Sequence, residues 1–221
     1  MTNQNILELN NISFGYNQHS VLFDNLCLSL HIDDYIGIHA PNGSGKTTLF
    51  RIMTGLEIPQ KGTILFYGCP VTQGAILHQL RRTIGFVLQN SDEQLFSSTV
   101  LEDIAFGPLN LGMTRREARD RALETLENIG MPEFADRPIH QLSGGEKKMI
   151  SIASVLSMRP ELLLLDEPTT FLDDASRSKI ITLLQNTPTG RVIISHDKDF
   201  LKQTASSFVT IQNGGITKTA L

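Results

Sequence analysis

Hydrophobic and polar positions along residues 6–38 read as strands. Ile6-Leu7-Glu8-Leu9 and Ile12-Ser13-Phe14 partly alternate, as half-buried strands do. Asp33-Asp34 marks a turn before Tyr35-Ile36-Gly37-Ile38, a short apolar strand. Thr47 to Met53 reads as a helix that stops near Gly55, and Gly62 to Gly68 as a strand bounded by glycines. Ile84-Gly85-Phe86-Val87-Leu88 predicts one more strand.

The pattern then changes character. Thr99-Val100-Leu101-Glu102 and Thr114-Arg115-Arg116-Glu117 both carry Ser/Thr-x-x-Glu, in which each end of the motif bonds the other's backbone and starts a helix. From Arg115 to Gly130, Ala118, Ala122, Leu126 and Ile129 recur at helical spacing. Beyond this stretch the strand signals return. Leu162 to Leu165 is a run of four leucines, and Arg191-Val192-Ile193-Ile194 is mostly apolar. Such runs fit central strands covered on both faces. The order predicts an α/β fold: a mainly parallel central sheet, an antiparallel β subdomain at the N-terminus and an inserted α-helical subdomain. A single domain over 1–221 is expected, with residues of about 1–88 and 159–221 forming the core and about 89–158 the helical part.

Composition narrows the function. The 221 residues are 40% apolar and 19% charged, ordinary for a globular protein, and the net charge is −4. A mildly acidic chain is no sleeve for nucleic acid. Met1-Thr2-Asn3-Gln4-Asn5 has neither the basic start nor the apolar core of a signal segment. No apolar run reaches the ~18–20 residues that span a bilayer. The expectation is a cytosolic protein, or one held at a membrane through a partner. Cys27 and Cys69 belong to no Cys/His cluster, so they are expected to be reduced thiols and small buried hydrophobes rather than metal ligands.

Candidate chemistry sits at three places. Gly43-Ser44-Gly45-Lys46-Thr47 is a phosphate-binding loop. A triphosphate needs many donors close together; glycines let backbone N–H groups turn inward, and the following helix adds its positive end. Lys46 then reaches the outer phosphates and the Thr47 hydroxyl ligates Mg²⁺. The usual first glycine of the pattern is Ala40 here, which tolerates only an ordinary φ. Asp166-Glu167 ends the leucine run, at the carboxyl edge where α/β sheets place ligands. Ser143-Gly144-Gly145-Glu146 is both a capping box, opening a helix from Lys147 to Met158, and a glycine-rich anion site.

Phosphate loop, Leu142-Ser143-Gly144-Gly145-Glu146, then Leu163-Leu164-Leu165-Asp166-Glu167, in that order, resembles the ATP-binding cassette (ABC) ATPases. The resemblance covers Ile6 to about Gly215. It implies the P-loop NTPase fold, ATP and Mg²⁺ as ligands, and a cradle of Asn42, Gly43, Ser44, Gly45, Lys46, Thr47 and Thr48, with Tyr16 stacked on the adenine. It implies Mg²⁺ held by Thr47, Asp166 and Gln89, Glu167 as the base that polarises the attacking water, and His196 at the γ-phosphate. Ser143, Gly144 and Gly145 would meet the nucleotide of an opposite subunit, with Asp173 on the loop crossing that interface. Phe171 is bulkier than the residue expected beside it. A homodimer, or a heterodimer with a related chain, follows.

Within the family, Asp92-Glu93-Gln94-Leu95-Phe96 followed by Thr99 to Pro108 resembles the ATPases of energy-coupling factor importers of vitamins or of metal ions such as cobalt and nickel. That branch implies a transmembrane coupling protein, a substrate-binding membrane subunit, a place on the cytoplasmic face of the membrane and no nucleic acid. The short end after Gly214-Gly215 fits a dedicated, single-substrate system. The alternatives are a non-transport ABC ATPase acting on DNA or the ribosome, and a regulatory subunit that binds ATP without turning it over.

Overall fold

The computed structural model describes residues 5–16 and 21–221. Met1 to Gln4, part of the N-terminal segment expected to be no signal, lie outside the described residues. The chain forms two compact units: Met1–Phe86 with Glu161–Asp166 and Thr189–Leu221, and Val87–Pro160 with Glu167–Pro188.

The first unit holds two sheets. In the antiparallel one, β1 (Leu7–Phe14) lies between β2 (Phe23–Leu30) and β4 (Lys61–Phe66), with β5 (Cys69–Pro70) beyond β4. The broken alternation of β1 has a cause. The register shifts between Leu9 and Ile12, and Asn11 takes a left-handed φ of 54°. This bulge keeps Leu7, Leu9, Ile12 and Phe14 all buried although their spacing changes parity. What reads as two short strands is therefore one.

The second sheet runs β10–β9–β3–β8–β7–β6, with β3 Tyr35–Ile38, β6 Ile84–Val87, β7 Leu162–Asp166, β8 Gly190–Ile194, β9 Ser207–Gln212 and β10 Gly215–Lys218. β3 pairs parallel with β8 and β9, and β8 with β7; β10 is antiparallel to its neighbour β9. Every residue of β7 and β8 is buried, as their mostly apolar runs suggest. Each leucine of β7 stabilises the fold by about 1.5–3 kcal/mol through burial. Helix α1 (Lys46–Met53) packs on β7, and its Leu49, Phe50, Ile52 and Met53 join the core. Helix α2 (Ala75–Thr83) buries Leu80, with Ile76 packed half-buried against the core. Helix α8 (Lys198–Thr204) is capped by Asp197.

The second unit is helical. It contains α3 (Ser91–Gln94), α4 (Val100–Asn110), α5 (Arg115–Asn128), α6 (Gly144–Leu156) and α7 (Asp174–Asn186). The three sequence capping boxes are all formed, at Thr99/Glu102, Thr114/Glu117 and Ser143/Glu146. α4, α5 and α6 pack on one another, and α7 and α3 on α6. α5 buries Ala118, Ala122, Thr125 and Leu126; Ile129 is its cap. α6 begins at Gly144, three residues before the expected Lys147, because Ser143 itself is the N-cap.

The cysteines depart from expectation. Cys27 and Cys69 are both exposed. Cys27 lies in an outward position of β2, the edge strand, where its Sγ meets Asn11 Oδ1 at 3.4 Å; Cys69 lies on β5, the opposite edge. Edge strands have one face and one flank in water, so apolar character alone does not bury a residue there.

Candidate active site

In the first unit, three parallel strands deliver their functional residues to one edge. β3 ends at Ile38 and runs into the phosphate loop; β7 ends at Asp166; β8 ends at Ile194, two residues before His196. Carboxyl ends of neighbouring parallel strands are where open α/β sheets hold ligands.

The loop is shaped for an anion. Gly45 is the N-cap of α1 with φ 93°, no side chain caps the helix, and an added Cβ would strike Leu22 and Phe23. A helix start without a side-chain cap is the kind of end that receives an anion. The Ser44 hydroxyl is buried with no protein partner, an orphaned polar atom inside the cradle. Ala40 shows no positive φ. Its carbonyl accepts from Lys46 Nζ at 2.9 Å, and Pro41 O accepts from it at 3.0 Å. Replacement of the usual glycine therefore costs no backbone strain, and the loop keeps its grip on the lysine.

Lys46 Nζ also lies 3.2 Å from His196 Nε2. An ammonium only donates, so Nε2 accepts and the ring carries its proton on Nδ1. His39 stacks edge-on to His196 at 6.2 Å between centroids, and its Nδ1 donates to Ser195 O at 3.2 Å. Thr47 and Asp166 meet: the hydroxyl donates to Oδ2 at 2.6 Å, and Asp166 is 1% exposed. Two adjacent hard oxygens suit Mg²⁺, which takes one or two protein ligands and fills its octahedron with water and phosphate oxygens. Tyr16 is 56% exposed, stands edge-on to Phe14, and its hydroxyl lies 3.0 Å from Thr48 Oγ1. Asn42 and Gly43 are exposed on the loop.

In the second unit, Glu167 is buried, takes a left-handed φ of 45°, and accepts a hydrogen bond from Thr170 Oγ1 at 3.3 Å. A glutamate in that region is strained, and such strain gathers at functional positions. Phe171 is also left-handed, at φ 63°, and 100% exposed. Asp173 caps α7, accepting from Ser176 N at 2.9 Å; the Ser176 hydroxyl, and then that amide, hold its carboxyl below the usual range. At the head of α6, Ser143 Oγ accepts from Glu146 N at 3.3 Å and Glu146 Oε2 from Ser143 N at 2.7 Å. Ser143 and Gly144 are exposed, while a Cβ on Gly145 would overlap Ser176. Gln89 is exposed beyond β6.

The sequence model of the ABC transporter family matches residues 23–170. The chain belongs to the ABC transporter family. It is the ATPase subunit of such a transporter, and the fold is that of an ABC cassette. A chain of Nitratidesulfovibrio vulgaris, provisionally described as an ABC transporter ATP-binding protein, is 47% identical over 214 residues, 96% of this chain and 78% of its own. The energy-coupling factor transporter ATP-binding protein EcfA of Methanocaldococcus jannaschii is 39% identical over 217 residues, again 96% of this chain and 78% of its own. Among solved structures, cbiO1 of Clostridium perfringens, part of the ABC transporter complex cbiONQ, superposes with a TM-score of 0.85 at 32% identity, covering 97% of this chain and 87% of its own.

Three features of this ABC cassette escape sequence reading. The left-handed Glu167 and Phe171 carry no local signal, since neither residue type favours that conformation. His39 beside His196 depends on the pairing of β3 with β8, which also brings His39 to Ser195 across 156 residues of chain. Among the described residues no helix is long and apolar enough to cross a membrane, and no three His, Cys, Asp or Glu side chains are grouped for a metal.

Proposed function

We propose that this chain is the ATP-hydrolysing subunit of an energy-coupling factor importer, driving uptake of a micronutrient such as a transition-metal ion or a vitamin. The observation that carries this reading is the 39% identity to EcfA over 96% of the chain. The run from Asp92 to Pro108 and the likeness to cbiO1 support the same branch.

The loop residues Asn42 to Thr48 hold the phosphates through backbone donors and the Lys46 charge, and Tyr16 stacks on the adenine. Thr47 and Asp166, with Gln89, are the Mg²⁺ residues; the ion, when bound with ATP, neutralises phosphate oxygens. Glu167 accepts a proton from the attacking water, and His196 orients toward the terminal phosphate with the tautomer that Lys46 selects. Ser143, Gly144 and Gly145 offer the first turn of α6 to the nucleotide of a second subunit, and Asp173 lies on the loop between them. Because one chain carries both halves, a head-to-tail pair of two copies, or of this chain with a relative, encloses two ATP molecules. ATP binding favours the closed pair and hydrolysis reopens it. A polytopic coupling protein reads that motion, with the ATPase peripheral on the cytoplasmic face of the membrane and the cargo held by a separate membrane subunit.

The test is isolation of the tagged chain from its native membranes in gentle detergent, with mass spectrometry of what stays bound. The account expects a polytopic membrane protein together with a small membrane companion. Recovery of soluble chains, ribosomes or DNA alone would contradict it.

A further inference from the structure

The segment that carries Gln89 is fastened to α6 by three side chains. Lys148, buried at 3% exposure, sends Nζ to Leu88 O at 2.9 Å and to Gln89 O at 2.7 Å. Gln94 bridges the same segment to α6: Leu88 N donates to its Oε1 at 3.0 Å, while its Nε2 donates to Ser151 O at 2.7 Å and Ser154 Oγ at 3.1 Å. Lys147 pairs with Asp92 at 2.6 Å, in a more exposed position. An ammonium inside a protein is costly unless its donors are taken up. Here backbone carbonyls 59 and 60 residues away take them up, so the charge is spent on holding a loop rather than on packing.

The helix so fastened is the one whose first turn is Ser143-Gly144-Gly145. We propose that Lys148 is a positioning residue: it ties the Gln89 backbone to the signature helix, so that Gln89 and the Ser143–Gly145 turn move as one piece during turnover. This rests on the reading of Gln89 as part of the hydrolytic machinery. Gln94 braces the tie by fixing the amide next to the two carbonyls.

ATP turnover and ATP affinity are measured on the purified full chain for the wild type, Lys148→Met, Lys148→Gln, Gln89→Ala and the Lys148→Met/Gln89→Ala double variant. Lys148→Met keeps the bulk and loses the donors. It lowers kcat about 10- to 100-fold, as misplacement of a reacting geometry does, while the Kd for ATP moves less than about threefold, within the spread of a site not itself disturbed. Lys148→Gln, which keeps two donors, restores most of the rate. The double variant is no slower than Gln89→Ala, because a residue acting through another adds nothing once that other is gone.

Wild-type kcat in Lys148→Met, or losses that multiply in the double variant, would overturn the tie. Wild-type turnover in Gln89→Ala would instead overturn the role of Gln89, a distinguishable result. If Lys148→Met does not fold, as judged by its thermal transition, Gln94→Met takes its place, with the same loss of kcat and the same non-additivity expected and the same results overturning it.

Discussion

Thr47 and Asp166 stand 119 residues apart in sequence and are joined by a hydroxyl-to-carboxylate hydrogen bond of 2.6 Å. One belongs to the first turn of α1, the other to the last position of β7, and α1 packs on that strand. The burial of the leucine run thus fixes where the carboxylate meets the loop. Packing and chemistry share the same residues.

Asp166→Asn keeps the shape and removes the charge. The Mg²⁺ concentration giving half-maximal ATP turnover rises about 10- to 100-fold, the usual cost of losing a group that orients a metal shell. Titration of turnover with MgCl₂ at fixed ATP checks it. An unchanged midpoint would remove Asp166 from the metal's surroundings.

Lys46→Met takes away the ammonium that Ala40 O, Pro41 O and His196 Nε2 now hold. ATP affinity falls by about 1.5–3 kcal/mol, the worth of a hydrogen bond to a charged group, or about 10- to 150-fold in Kd. Equilibrium binding of a fluorescent ATP analogue reads this directly.

Thr99→Ala removes one half of the capping box of α4, in which Glu102 N donates to Thr99 Oγ1 and Thr99 N to Glu102 Oε2. Stability falls by about 0.5–2 kcal/mol, or about 2–4 °C in Tm for each kcal/mol in a chain of this size. The Kd for ATP stays as in the wild type. Differential scanning calorimetry beside a binding titration separates the two.

Tyr67 donates to Glu161 Oε2, and burial, then the bond and charge of Glu161, push its phenol from 10.0 up to about 12. The neutral phenol is favoured in the folded state, so its contribution is fully present below pH 10 and is lost as pH rises through about 12. Wild type and Tyr67→Phe therefore differ in the slope of stability against pH between those limits, the wild type losing more. Parallel slopes in urea titrations would contradict the shift.

How much of this was legible depended on the range of the cause. Thr114…Glu117 announces a helix start because both partners lie in one turn, and the helix begins at Arg115. The leucines of β7 announce a doubly covered strand because every position shares one environment. Gly45, Lys46 and Thr47 are readable because phosphate imposes its own local pattern. The register shift after Leu9 is hidden because a bulge changes parity without changing composition. The exposure of Cys27 is hidden from the sequence because edge position follows from sheet order. Lys148 looks like any surface lysine until its carbonyl partners, far off in sequence, are placed beside it. The left-handed Glu167 is set by its surroundings, not by its own preference.

Glu167 offers the most direct test. Glu167→Gln keeps size and hydrogen-bonding capacity and removes the proton acceptor, so ATP binding by the purified chain should match the wild type while release of phosphate falls by at least about 100-fold, the lower range of a lost general base. Binding retained with turnover abolished is the predicted result. Phosphate release at the wild-type rate would contradict the account at its centre.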